Sequence, residues 1–127
     1  MELYELRQNL ETDLEKLNAL GESLDLPAKE EEIRQLDEQS MDPDFWSDQK
    51  KAQSVIRKRN GLKDIVDSYT TLKEQYDGLA ETAGALKDEF DEELMEMAVE
   101  EYTEASKAME TFEIKVLLSH EYDNSNA

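Results

Sequence analysis

The chain has 127 residues, of which 38% are hydrophobic and 37% charged, and its formal net charge is -19. That length suits a single domain with a bundle-sized core. The charge disfavours bare nucleic acid, where binding would import repulsion instead of releasing counterions, and it equally disfavours anionic membrane surfaces. The absence of cysteine excludes disulfides and thiolate metal sites, and it fits a reducing cytoplasm.

No apolar run reaches membrane-spanning length. The opening Met1-Glu2-Leu3-Tyr4-Glu5 is acidic and amphipathic, unlike a signal peptide, and reads as a natural start. Glycine and proline are scarce, and valine and isoleucine never alternate with polar residues over a strand's length. The expected fold class is therefore all-α.

A first helix is predicted from about Glu2 to Leu20. Leu3, Leu6, Leu10, Leu17 and Leu20 recur at steps of three and four, Leu14 widens the stripe, and Gly21 is the expected stop. A second helix should begin near Pro27, because proline suits a first helical position. Ile33, Leu36 and Met41 form its apolar face, and Asp42-Pro43-Asp44 breaks it.

A long third helix is predicted over about 48–86, with a stripe of Ala52, Val55, Arg59, Leu62, Val66, Tyr69, Leu72, Tyr76, Leu79, Ala83 and Leu86. At 1.5 Å per residue it would span close to 60 Å. The fourth helix should follow Asp91, a good N-cap. Its stripe is Leu94, Met97, Ala98, Ala105, Ala108, Phe112 and Val116. Two long helices joined by a short acidic turn make a hairpin, along which the first two helices can pack. The expected architecture is an antiparallel bundle of coiled-coil character over residues 1–118. Residues 119–127 show no helical period and read as a linker to a following domain.

The many carboxylates invite a search for a metal or acid–base centre. Di-iron bundles need Glu-x-x-His pairs facing the core, but the single histidine, His120, has Leu117 three residues before it. A calcium loop starting at Asp42 would need glycine at its sixth position and glutamate at its twelfth; these hold Ser47 and Gln53. Ser47 or Asp48 is better read as a helix cap. There is no glycine-rich phosphate loop and no spaced nucleophile–base pair. No catalytic, cofactor-binding or metal residue is assigned, and no cofactor or small-molecule substrate is expected.

Three stretches could carry contacts. From Asp88 to Glu104 nine residues are acidic and none is basic; this reads as a solvated helix face, with docking to a basic protein as the alternative. Lys50, Lys51, Arg57, Lys58, Arg59 and Lys63 form a basic cluster. It is expected to pair with acidic residues of neighbouring helices, with a local RNA phosphate contact as the alternative. Phe45-Trp46 is expected to plug one end of the bundle, with an exposed partner anchor as the alternative.

Two segments carry a resemblance to a known family. Asp42-Pro43-Asp44-Phe45-Trp46-Ser47-Asp48, followed by Ala52-Gln53, resembles the Pro-Asp-Phe-Trp-Asn-Asp…Ala-Gln segment of the bacterial peptide chain release factor 2 family. Leu117-Leu118-Ser119-His120-Glu121-Tyr122-Asp123-Asn124-Ser125-Asn126-Ala127 resembles that family's Leu-Leu-Ser-Gly-Glu-Tyr-Asp-x-x-Asn-Ala, with His120 in place of the usual glycine. The opening residues and Ser23-Leu24-Asp25-Leu26 also fit, so the resemblance covers essentially the whole chain. The sister family, release factor 1, usually ends in a Pro-Lys-Asp-Pro-Asp-Asp type segment and lacks the Phe-Trp turn.

The resemblance implies translation termination in the cytoplasm. Full-length members bind the ribosomal A site, recognise UGA and UAA, and trigger hydrolysis of peptidyl-tRNA. They read the codon with Ser-Pro-Phe and promote hydrolysis with Gly-Gly-Gln. Neither tripeptide occurs in these 127 residues, so no codon-reading or catalytic residue is carried over. What the chain resembles is the family's N-terminal helical domain, which projects towards the base of the large-subunit stalk and bears on the recycling GTPase, release factor 3. The implied partners are thus the ribosome and release factor 3, with no direct nucleic-acid contact and no membrane. A free-standing coiled-coil or chaperone-like interaction protein is the competing reading, and periodicity alone would serve it.

Overall fold

The computed structural model describes the backbone of residues 1–125 and the side chains through Ser119. It contains helices α1 (Leu3–Leu24), α2 (Leu26–Ser40), α3 (Gln49–Asp88) and α4 (Glu92–Ser125), with a 3-10 turn, Pro43–Ser47, between α2 and α3. No strand occurs among the described residues. The all-α expectation holds.

Helix α1 runs through Gly21 instead of stopping there. Its end comes at Asp25, whose φ of 49° puts the backbone in the left-handed region, a conformation that aspartate tolerates better than most residues. The Lys29 ammonium donates to the Leu24 carbonyl at 2.7 Å, covering one exposed end group of α1. Asp25 also starts α2: its side chain accepts from the Ala28 N–H, and Pro27 occupies the first turn. One residue therefore ends one helix and caps the next.

Gly21 has a different task. A Cβ at this position would stand 2.6 Å from the Tyr69 hydroxyl oxygen. Glycine is needed there to let α1 approach α3, and the helix continues because nothing forces its backbone out of the helical well.

Helices α3 and α4 form the expected antiparallel hairpin. Asp91 caps α4 by accepting from the Leu94 N–H at 3.1 Å. Cross-chain contacts set the registers. Asp13 meets Tyr76, and Gly21 meets Tyr69. Asp37 meets Arg59. The path from α1 through α2 thus runs antiparallel along α3, bent at Asp25. Helices α1, α3 and α4 share one continuous core that includes Leu6, Leu10, Leu17, Leu24, Ile65, Leu72, Tyr76, Leu79, Leu86, Met95, Ala105, Met109, Phe112 and Val116. Leu36 and Ala52 are buried outside this cluster, where α2 packs on the first part of α3.

Several boundaries and faces differ from those read in the sequence. On α4, Met95 and Met109 are buried, whereas Met97 is exposed and so is Ala108. Ala108 and Met109 differ by about 100° around the helix, and Met95 and Met97 by about 200°, and the position of α1 and α3 selects the inward one of each pair. Met41 is exposed instead of completing the face of α2, because α2 ends at Ser40. Residues 119–125, read as a non-helical linker, continue α4; residues 126 and 127 lie outside the described residues. The helical unit therefore extends beyond residue 118.

Candidate functional site

One part-buried polar cluster joins three helices. Asp13, on α1, accepts hydrogen bonds from the hydroxyls of Tyr76 on α3 and Tyr102 on α4, both at 2.9 Å. The two rings meet edge to face, with centroids 6.4 Å apart. Burial, reinforced by the hydrogen bond to the Asp13 carboxylate, pushes the Tyr102 phenol up to about 12 and raises Tyr76 in the same direction. Both groups are held neutral as donors. Both phenols donate to the same carboxylate oxygen, Oδ2, an arrangement that suits bundle locking. The Ser106 hydroxyl is a further hydrogen-bond partner of Tyr102. Periodicity could not reveal it, since the partners lie 63 and 89 residues from Asp13.

Around the turn that was tested as a calcium loop, the Asp42 and Asp48 side chains bond backbone N–H groups. Asp42 accepts from the Asp44 N–H at 2.9 Å and Asp48 accepts from the Lys51 N–H at 3.1 Å. Asp48, not Ser47, is the cap of α3; the Ser47 hydroxyl donates to the Asp44 carbonyl at 2.6 Å. The side chain of His120 lies outside the described residues.

The basic cluster divides in two. Arg59 bonds Asp37 and Lys58 bonds Glu32, each at 2.9 Å, tying α3 to α2, and Lys63 pairs with Asp67 one turn on. Arg59 and Lys58 follow the expected pairing with a neighbouring helix, whereas Lys63 pairs within α3. Lys50, Lys51 and Arg57 are exposed and make no ion pair among the described residues. The nine acidic residues from Asp88 to Glu104 are all exposed around the α3–α4 turn and along α4, as a solvated face requires.

The Phe45-Trp46 turn corrects the expectation of a plug. Phe45 is half-buried, but Trp46 is 56% exposed. Its indole N–H donates to the Ser40 carbonyl at 3.2 Å, and its ring stands at 85° to Phe45 with centroids 4.9 Å apart. The turn packs against α2 and α3, and Trp46 is turned outward. Ile114, Leu117 and Leu118 form a further exposed apolar patch on α4. Its signal was three apolar residues lying off the main α4 stripe.

A family model described as the PCRF domain matches residues 29–127. The peptide chain release factor 2 of Staphylococcus saprophyticus subsp. saprophyticus is 39% identical over 127 residues, covering all of this chain and 34% of that protein. The proteins of that name from Staphylococcus epidermidis and Staphylococcus aureus are 39% and 37% identical over the same share. The chain thus spans 34% of the length of the relatives it matches. With a family match over α2, α3 and α4 and identity along its whole length to proteins called peptide chain release factor 2, the chain belongs to the PCRF-domain family.

Proposed function

We propose that this chain is a non-catalytic docking domain, the N-terminal helical part of a class I release factor that acts at UGA and UAA stop codons. The observation that carries the proposal is the match of the whole chain to about a third of each release factor 2 relative. Peptidyl-tRNA hydrolysis and codon reading would then belong to the other two thirds, since neither Gly-Gly-Gln nor Ser-Pro-Phe occurs here. The expected partners are protein surfaces at the base of the large-subunit stalk and the recycling GTPase, release factor 3, and the setting is cytoplasmic.

The physical form supports such a role. An α3 of 40 residues is a spacer of about 60 Å, braced along its length by α1, α2 and α4. Its apolar stripes are consumed in the core, so docking falls to exposed positions. A net charge of -19 favours protein contacts over RNA. The free-standing coiled-coil reading has no observation in its favour once the family is known.

A termination assay tests the proposal. Excess chain added to full-length release factor 2 on stop-codon-programmed ribosomes should slow peptide release weakly, because the chain lacks the effective concentration supplied by the other domains. Alone it should release no peptide. Stop-codon-dependent release by the chain itself would overturn the non-catalytic reading, and tight binding to protein-free ribosomal RNA would overturn the choice of a protein partner.

A further inference from the structure

Trp46 is the sole tryptophan of an aromatic-poor chain, and it is 56% exposed. An indole left outside a core forgoes a large area of apolar burial. This one is also held still. Its N–H is bonded to the Ser40 carbonyl and its ring meets the half-buried Phe45 edge to face. The turn is stitched by the Asp42, Ser47 and Asp48 side chains. A large aromatic fixed in place before binding loses little freedom on docking, and tryptophan is the residue most often found to anchor an interface.

The charges around it are segregated. Asp42, Asp44 and Asp48 surround the indole in sequence, and all are exposed. From Gln49 to Lys63 there is no acidic residue. Within that stretch Lys58, Arg59 and Lys63 are occupied by Glu32, Asp37 and Asp67, while Lys50, Lys51 and Arg57 face solvent unpaired among the described residues. Lys50 and Arg57 stand seven residues apart, two turns along one face of α3.

We propose that this turn and the first three turns of α3 form the docking surface for a folded protein partner. That partner presents an apolar pocket for the Trp46 indole and carboxylates at its edge for Lys50, Lys51 and Arg57. The proposal rests on the docking role above and assigns it a surface. RNA fits less well. A strand stacking a base on Trp46 would bring its phosphates against three aspartates on a chain of net charge -19, whereas a protein can supply an apolar pocket and both signs of charge.

The chain has no cysteine, so one introduced thiol gives a unique attachment point. A benzophenone maleimide on Asp44→Cys, beside the indole, is compared with the same probe on Met97→Cys, in the acidic part of α4. Each labelled chain is irradiated with purified bacterial large ribosomal subunits. The probe at 44 should mark a ribosomal protein and the probe at 97 should not. In equilibrium binding to the same subunits, Trp46→Ala and the triple variant Lys50→Glu/Lys51→Glu/Arg57→Glu should each weaken affinity by about tenfold or more. Far-UV circular dichroism checks that each variant keeps its helix content. Marking of ribosomal RNA from position 44 would overturn the proposal. Binding by both variants as tight as that of the unaltered chain would overturn this surface and leave the ribosomal docking role standing. No binding by the unaltered chain would overturn both.

Discussion

The Tyr69 ring lies over Gly21 so closely that a methyl group on that glycine would stand 2.6 Å from the hydroxyl oxygen and 2.7 Å from the carbon bearing it. Tyr69 also packs against Phe112, with ring centroids 6.2 Å apart, so moving it away loosens α4 as well as α1. Gly21→Ala should therefore destabilise the chain by about 1–3 kcal/mol, the usual cost of overpacking. Gly78 lies on the open surface of α3, where an added Cβ would meet nothing within 4 Å, and it should respond in the opposite sense. Gly78→Ala should gain up to about 1 kcal/mol through helix propensity. Urea denaturation of the two variants checks both signs, and equal effects would refute this account of Gly21.

Asp13 joins three helices through two phenols. Asp13→Ala leaves both hydroxyls without their partner in a part-buried site and should cost about 2–3 kcal/mol. Tyr102→Phe removes one bond and leaves the other, and should cost nearer 1 kcal/mol. The pair should be strongly non-additive in a double-mutant cycle. An Asp13→Ala midpoint within error of the unaltered chain would mean that the node is ornamental.

The same node sets an alkaline limit. Burial, followed by the Asp13 hydrogen bond, raises the Tyr102 phenol to about 12 from an ordinary 10.0 and raises Tyr76 as well. Because the folded-state values are the higher ones, the contribution of these neutral phenols is complete below pH 10. It falls as the pH rises from there through about 12 for Tyr102. Tyrosinate absorbance near 295 nm should show two of the five tyrosines ionising late, together with the loss of helix. The Tyr76→Phe/Tyr102→Phe variant should lose that late phase.

Trp46 gives a direct optical test of the outward turn. As the only tryptophan it should emit at long wavelength and be readily quenched by acrylamide. Trp46→Ala removes the N–H bond to Ser40 and the edge contact with Phe45. It should cost about 1 kcal/mol, well below the roughly 3–5 kcal/mol of a core tryptophan. A blue-shifted, protected emission would restore the plug.

Four helices, their order and the hairpin were legible in the residues themselves. Leucine periodicity, the Asp91 cap, Pro27 and the Asp42-Pro43 break act over a single turn, so local chemistry determines them. The family, too, was carried by linear motifs. The tertiary structure decided the rest. Period alone gives an apolar arc, and only the neighbouring helices choose Met95 over Met97 and Met109 over Ala108 as the buried members. Gly21 looks like a stop to a reader of one helix; its actual constraint comes from Tyr69, 48 positions on in the numbering. Asp13 resembles any surface carboxylate until two tyrosines from distant helices converge on it. Phe45 and Trp46 are neighbours of similar hydrophobicity, and the packing of the turn half-buries one and leaves the other exposed. Burial and hydrogen-bond partnership are properties of pairs of surfaces, and a linear sequence specifies each surface without specifying which part of it another helix will cover.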